Sequence, residues 1–110
     1  IEHVAGYGTY LHGEAVGIGL AGAARLSHAL GSLTSADVAR VEAVVAAHGL
    51  PVRLSAPLAL DALREAMRRD KKNRAGRLHF IVLEALGRAT TRADIPPDLV
   101  DAVWRELGAA

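Results

Sequence analysis

The stretch EAVGIGLAGAARLSHAL at residues 14–30 decides the fold expected of this chain. It is apolar almost all round, and it carries Gly17, Gly19 and Gly22 where a surface helix would have long polar side chains. Each interior glycine costs a helix about 1 kcal/mol relative to alanine, so three of them indicate that other groups pack closely against this segment. We therefore predict a buried central helix.

The rest of the chain divides at turn signals into shorter elements. Residues 1–13 are rich in glycine and favour turns rather than a sustained helix. Apolar positions recur at helical spacing in further segments, which we expect to be helices: residues 35–47, 59–69 and 98–107. A β-prone run at 78–83 and a second at 89–91, separated by Gly87, predict a small hairpin. The fold expected is therefore mainly α and multi-helical, with one small β-hairpin.

Local signals mark the ends of the first two predicted helices, residues 14–30 and 35–47. Gly31 follows the first helix and Gly49 follows the second, each at the position where a helix commonly ends on glycine. Thr34 or Ser35 supplies the N-cap of the second helix, and Asp37 places an acidic side chain in its first turn.

Composition places the chain among globular domains of ordinary size. It has 110 residues, 51% hydrophobic and 23% charged, which is enough to fill one core. The absence of cysteine excludes a disulfide scaffold. Arg25 and His28 interrupt the apolar run before it reaches the roughly 20 residues of a membrane span, so no membrane partner is expected. Aromatic residues are only 4%, which argues against a stacking platform for single-stranded nucleic acid.

The net charge of +1 hides a basic segment at residues 68–77, where the local charge is +5. Lys71 and Lys72, at the end of the third helix, suit the binding of a phosphate or carboxylate group. Basic residues in a last helical turn are also favoured by the helix dipole and can simply face solvent. A small nucleic-acid-binding module that uses this segment is a further alternative.

His12 is the histidine of greatest interest, because it follows the glycine-rich turn and immediately precedes the predicted helix. Its structural alternative is a hydrogen bond to a nearby carbonyl. No HExxH motif or closely spaced histidine pair is present, so the residues alone supply no complete zinc site. We expect His28, His48 and His79 to be surface or helix-end residues.

Two motifs carry a resemblance to a known family. GYG at residues 6–8 and LHGEAVGIGL at residues 11–20 are similar to the GYG…LHGEAVAIGM signature of 3-dehydroquinate synthases. DKK at residues 70–72, followed by FIVL at residues 80–83, resembles that family's DKKxxxGxxxxVLL segment. The opening Ile-Glu at residues 1–2 resembles the end of the family's GHxxGHAIE motif.

The resemblance implies that residues 1–110 are the C-terminal helical domain of a two-domain enzyme, which binds metal and substrate. Its N-terminal NAD-binding α/β domain, and both histidines of GHxxGHAIE, would be absent from this chain. The family converts 3-deoxy-D-arabino-heptulosonate 7-phosphate to 3-dehydroquinate and phosphate in the shikimate pathway, using NAD and zinc or cobalt. The resemblance further implies a homodimer in the cytoplasm.

Carried over residue by residue, His12 matches the second histidine ligand of the catalytic zinc. Lys71 and Lys72 match the segment whose lysine contacts the anionic groups of the phosphorylated sugar-acid substrate. Adjacent helical residues point about 100° apart, so only one of the two lysines is expected to face the cleft. No catalytic or cofactor-binding residue is assigned within this chain. By itself it is expected to be inactive and to bind neither NAD nor metal tightly.

Two alternatives remain beside the nucleic-acid module. Related sugar-phosphate cyclases, the epi-valiolone and deoxy-scyllo-inosose synthases, share the His-Gly-Glu helix, although the intact Asp-Lys-Lys favours dehydroquinate synthase. A non-catalytic helical interaction domain that keeps the cyclase fold is the other. Gly17 and Leu20 stand where alanine and methionine are usual, which changes side-chain size along the packed helix.

Overall fold

The structure, a computed structural model, describes residues 1–6, 8–73 and 76–110, without the side chains of Lys72 and Asn73. In chain order its elements are α1 (Glu2–Ala5), α2 (His12–Ala29), α3 (Ser35–Ala47), α4 (Leu60–Asn73), β1 (Phe80–Ala85), β2 (Arg88–Arg92) and α5 (Pro97–Leu107). The predicted mainly helical fold with one small hairpin is confirmed. In the part of the chain that the structure describes, no helix is long and apolar enough to cross a membrane.

The central helix of the fold is α2, which packs against α3, β1 and α5. Close approach occurs at two of its glycines, as predicted. A Cβ added at Gly17 would lie 3.0 Å from the backbone oxygen of Pro51, and one at Gly22 would lie 3.1 Å from the Leu107 Cδ1 atom. Glycine at these positions lets α3, the following loop and α5 pack directly against the α2 backbone.

One face of α2 departs from the prediction of a helix buried all round. Val16 is 44% exposed and Leu20 is 50% exposed. The prediction of close packing is wrong for Gly19, since a Cβ there would meet nothing within 4 Å. Glycine and alanine fit an open surface as well as a tight contact, so the sequence pattern could not separate the two cases.

The second helix, α3, has the boundaries that its capping residues predict. Thr34 is the N-cap, and its side chain accepts a hydrogen bond from the Asp37 amide while the Asp37 carboxylate accepts one from the Thr34 amide. Val38 and Val45 are buried. Arg25 of α2 forms a 2.6 Å ion pair with Glu42, which ties the two helices together.

The third predicted helix, α4, runs to Asn73, four residues beyond the predicted end at Arg69. The charged residues do not stop it, because Glu65 pairs with Arg68 and Arg69 at helical spacing and no helix breaker occurs before Gly76. Lys71 is therefore a helical residue rather than part of a loop.

The hairpin pairs β1 with β2 in antiparallel register, and Phe80 lies opposite Arg92. Val82 is buried against the core. Ser27 of α2 secures β1 to the central helix: its buried hydroxyl accepts a 2.8 Å hydrogen bond from the Leu83 amide and donates a 2.7 Å bond to the Ala23 carbonyl.

The opening segment folds more than its glycine content predicts. The one-turn helix α1 contacts α4, where Val4 packs beside buried Leu63. Gly8 has φ +95, which turns the chain back toward the start of α2. That helix begins at His12, two residues earlier than predicted, because Glu14 accepts a 2.8 Å hydrogen bond from the Leu11 amide at the N-cap.

Candidate functional site

His12 is the first residue of α2, and its side chain is 81% exposed. Its Nδ1 lies 3.2 Å from the Glu2 Oε2 atom. A carboxylate only accepts hydrogen bonds, so the Nδ1–H of the ring donates, and in the neutral form of the ring Nε2 carries the lone pair. Among the described residues, none forms a hydrogen bond with Nε2. A neutral imidazole held in this way is a suitable metal ligand.

His12 is not part of a complete metal site among the described residues. Residues 1–6, 8–73 and 76–110 contain no group of three or more histidine, cysteine, aspartate or glutamate side chains placed to hold a metal ion. A catalytic zinc usually takes three protein ligands. His12 can therefore contribute one ligand to such a site.

The other histidines have local structural contacts or exposed positions. The Nδ1 atom of His28 lies 2.8 Å from the Leu33 carbonyl oxygen, and that of His48 lies 2.8 Å from the Val44 carbonyl oxygen. Both rings donate to a nearby carbonyl, and both residues lie at or next to a helix end. With His79 exposed, the prediction of surface or helix-end histidines is confirmed.

Lys71 lies on α4 and lines an open cleft of about 440 Å³ between α4, the start of β1 and α5. Arg68 and Arg77 lie on the same rim, and Phe80 and Val100 contribute apolar floor. The cleft thus combines cationic groups with an apolar base. The side chain of Lys72, the second predicted lysine, lies outside the described residues, as does all of Arg74.

The arginines that line this cleft form ion pairs with nearby carboxylates. Arg64 forms a two-point contact with Asp101, with Nε–Oδ1 and Nη2–Oδ2 distances of 3.0 and 2.6 Å. This hydrogen bonding lowers the pKa of the Asp101 carboxyl and raises that of Arg64. Arg77 lies 3.3 Å from Asp94.

Lys71 differs from these arginines, since no described side chain forms a hydrogen bond or ion pair with it. Lys71 is also an exposed residue. Among the described cations of the cleft, Lys71 is therefore the one best placed to receive an external anion.

The structure places His12 and Lys71 at separate positions. His12 contacts Glu2 of α1, and α1 packs against α4, the helix that carries Lys71. No hydrogen bond or ion pair joins the two side chains directly.

Sequence reasoning missed the role of Glu2 as the partner of His12. The two residues are ten apart, with Gly6 and Gly8 between them, and both glycines have positive φ. Glycines between Glu2 and His12 allow the chain to turn back, which can bring the carboxylate and the imidazole together. That signal is weak on its own, because the pairing also needs α1 to form and to pack on α4.

A solved structure shares this fold. 2-Epi-5-epi-valiolone synthase from Streptomyces hygroscopicus, solved with NAD⁺ and Zn²⁺ bound, superposes with a TM-score of 0.84 at 32% sequence identity. The match covers 96% of this chain and 29% of that protein. The fold is thus that of the helical part of a sugar-phosphate cyclase.

The family follows from sequence. A model described as 3-dehydroquinate synthase C-terminal matches residues 1–73, and this chain belongs to that family. The 3-dehydroquinate synthase of Opitutus terrae is 60% identical over all 110 residues, and that of Nitrobacter winogradskyi is 42% identical over 120 aligned positions. The chain spans 30% and 31% of the length of these two relatives.

Proposed function

We propose that this chain acts as the metal- and substrate-binding domain of an enzyme that converts 3-deoxy-D-arabino-heptulosonate 7-phosphate to 3-dehydroquinate and phosphate. The observation that carries the proposal is the 60% identity to a 3-dehydroquinate synthase along the whole chain, together with an exposed His12 whose Nε2 is available. The enzyme would serve aromatic amino acid biosynthesis through the shikimate pathway.

His12 fits the role of a zinc ligand, because its ring is exposed and its Nδ1–H is already engaged by Glu2. Zinc or cobalt bound there would supply Lewis-acid polarisation of the hydroxyl and carbonyl oxygens of the substrate. We assign the remaining ligands to parts of the intact enzyme outside these 110 residues.

Lys71 is proposed to hold an anionic group of the substrate, its phosphate or its carboxylate. Lys71 is exposed and its ammonium group has no carboxylate partner among the described residues, whereas Arg64 and Arg77 on the same cleft are paired with aspartates. An unpaired cation loses less on binding an anion, since no existing ion pair must break. Lys72 remains the second candidate for this role.

NAD binding is assigned to a separate α/β domain that precedes this one in the intact enzyme. The chain spans about 30% of its curated relatives, which leaves length for such a domain in those proteins. The 110 residues alone are proposed to be inactive, and the intact enzyme is proposed to be a cytoplasmic homodimer.

The proposal is tested by grafting. Residues 1–110 would replace the matching segment of the Opitutus terrae enzyme, and the chimera would be assayed for phosphate release and 3-dehydroquinate formation. We expect activity in the chimera and its loss in His12→Ala, with His48→Ala as the matched control that stays active. A folded chimera that is inactive, or a fully active His12→Ala variant, would refute the proposal.

The related cyclases are the second candidate, because the solved neighbour is an epi-valiolone synthase. The same chimera distinguishes them by product: 3-dehydroquinate supports the proposal, whereas 2-epi-5-epi-valiolone from the neighbour's substrate would support the alternative.

The nucleic-acid module is less favoured, since Arg68, Arg69 and Arg77 of the basic segment contact carboxylates. Binding of duplex DNA that falls steeply with salt would favour it instead.

A further inference from the structure

We infer that Glu2 is a positioning residue that orients His12 for metal binding; this rests on the proposed role of His12 as a ligand. The direct observation is the 3.2 Å contact between the His12 Nδ1 and the Glu2 Oε2 atoms. The Glu2 carboxylate thereby sets the tautomer and the orientation of the His12 ring, which is otherwise 81% exposed.

Glu2 can perform this role because it lies on an anchored element. Val4 packs in the cluster that holds buried Leu63, and Ala5 packs against the main core. The Thr9 hydroxyl donates a 2.9 Å hydrogen bond to the Ala5 carbonyl, which closes the end of α1. The Glu2 side chain is 34% exposed, whereas that of His12 is 81% exposed. Packing therefore restrains the Glu2 carboxylate more than it restrains the histidine ring.

The chemistry of the pair follows from the fact that a carboxylate has no proton to give. The ring must donate through Nδ1, so in the neutral imidazole the proton is absent from Nε2, and the Nε2 lone pair points away from the Glu2 carboxylate. Carboxylate–histidine–metal arrangements use this contact to hold the ring and to raise its basicity. Removing such a carboxylate typically weakens metal binding 10- to 100-fold.

The neighbouring carboxylate, Glu14, does not compete for this role. Its Oε1 atom accepts the Leu11 amide at 2.8 Å and completes the N-terminal cap of α2. Glu14 therefore holds the start of the helix, whereas Glu2 holds the side chain that projects from it.

The first test needs no metal. Two-dimensional ¹H–¹⁵N spectra of the imidazoles in this chain, at a pH where the rings are neutral, report which nitrogen carries the proton. We expect His12 to be Nδ1-protonated and Glu2→Ala to shift it to a mixture of tautomers. Glu2→Gln should restore it in part, since the amide oxygen accepts a hydrogen bond but the NH2 group can also donate one to Nδ1. His28 and His48, which donate to backbone carbonyls, are internal references that should not change.

Glu84→Gln is the matched control, because Glu84 is an exposed carboxylate on β1 whose described partner is Arg88. It should leave the His12 signals unchanged. A Glu2→Ala spectrum in which His12 keeps the wild-type tautomer, while the other histidine signals show intact folding, would overturn the inference. If Glu2→Ala unfolds the chain, Glu2→Met decides, because it keeps the length of the side chain without the carboxylate: a wild-type tautomer of His12 there overturns the inference too.

The second test measures zinc affinity in the grafted enzyme by competition with a chelator. We expect Glu2→Ala to weaken zinc binding 10- to 100-fold and Glu2→Gln to weaken it less. Unchanged affinity in Glu2→Ala, with His12→Ala abolishing binding, would refute the positioning role and leave the proposed function standing. Unchanged affinity in His12→Ala would refute the proposed function, and the positioning role with it.

Discussion

Alanine at Gly17 and alanine at Gly19 are expected to change the stability of the chain in opposite directions, although both positions lie inside α2. At Gly17 a new Cβ would lie 3.0 Å from the Pro51 carbonyl oxygen, 3.1 Å from the Leu50 Cβ and 3.2 Å from a methyl group of Val45. At Gly19 it would meet nothing within 4 Å.

The magnitudes follow from two opposing contributions. Alanine favours a helix interior over glycine by about 1 kcal/mol, and this gain is the same at both positions. Overpacking costs about 1–3 kcal/mol, and it applies only at Gly17. The Pro51 oxygen belongs to the backbone and the Leu50 Cβ is fixed to it, so neither can rotate away. Gly17→Ala should therefore lose up to about 2 kcal/mol, whereas Gly19→Ala should gain up to about 1 kcal/mol.

Thermal unfolding followed by circular dichroism at 222 nm measures the difference. For a domain of roughly this size, 1 kcal/mol shifts Tm by about 4–8 °C, so the two variants should be separated by a readily measured interval. Gly22→Ala is the intermediate case, because its closest contact is the terminal Cδ1 atom of the Leu107 side chain rather than backbone. A Tm for Gly17→Ala equal to or above that of Gly19→Ala would refute the packing argument.

Two further substitutions test the contacts that hold the hairpin and α5. Ser27→Ala should destabilise the chain by about 1–3 kcal/mol, because the Leu83 amide loses its acceptor; hydrogen exchange at Leu83 should accelerate, and unchanged protection would contradict this. Asp101→Asn should lower Tm at neutral pH, because Arg64 holds the Asp101 pKa below its ordinary value. The stabilisation from this carboxylate is present above about pH 3.9 and is lost as pH falls through its lower folded-state pKa, so the two proteins should converge in acid. A Tm difference that persists in acid would exclude the ionic explanation.

Local signals in the sequence determined most of the secondary structure. Thr34 and Asp37 begin α3 by capping contacts within four residues of each other, and Gly31 and Gly49 follow helices with positive φ. Gly87 separates the strands of the hairpin. These features are predictable because the groups that interact are neighbours along the chain. The same holds for His12 as a candidate ligand, since its place at the start of α2 follows from the turn before it.

Contacts between distant segments decided the rest. Glycine has no side chain that records its surroundings, so only the packing of Pro51 and Leu107 separates Gly17 and Gly22 from the open Gly19.

The site shows the same division. Glu2 reaches His12 only because α1 forms, packs on α4 and turns back through glycines of positive φ. The sequence determined which residues can do chemistry, and the tertiary structure decided which of them meet, because hydrogen bonds and packing act over a few ångströms of space whatever the separation along the chain.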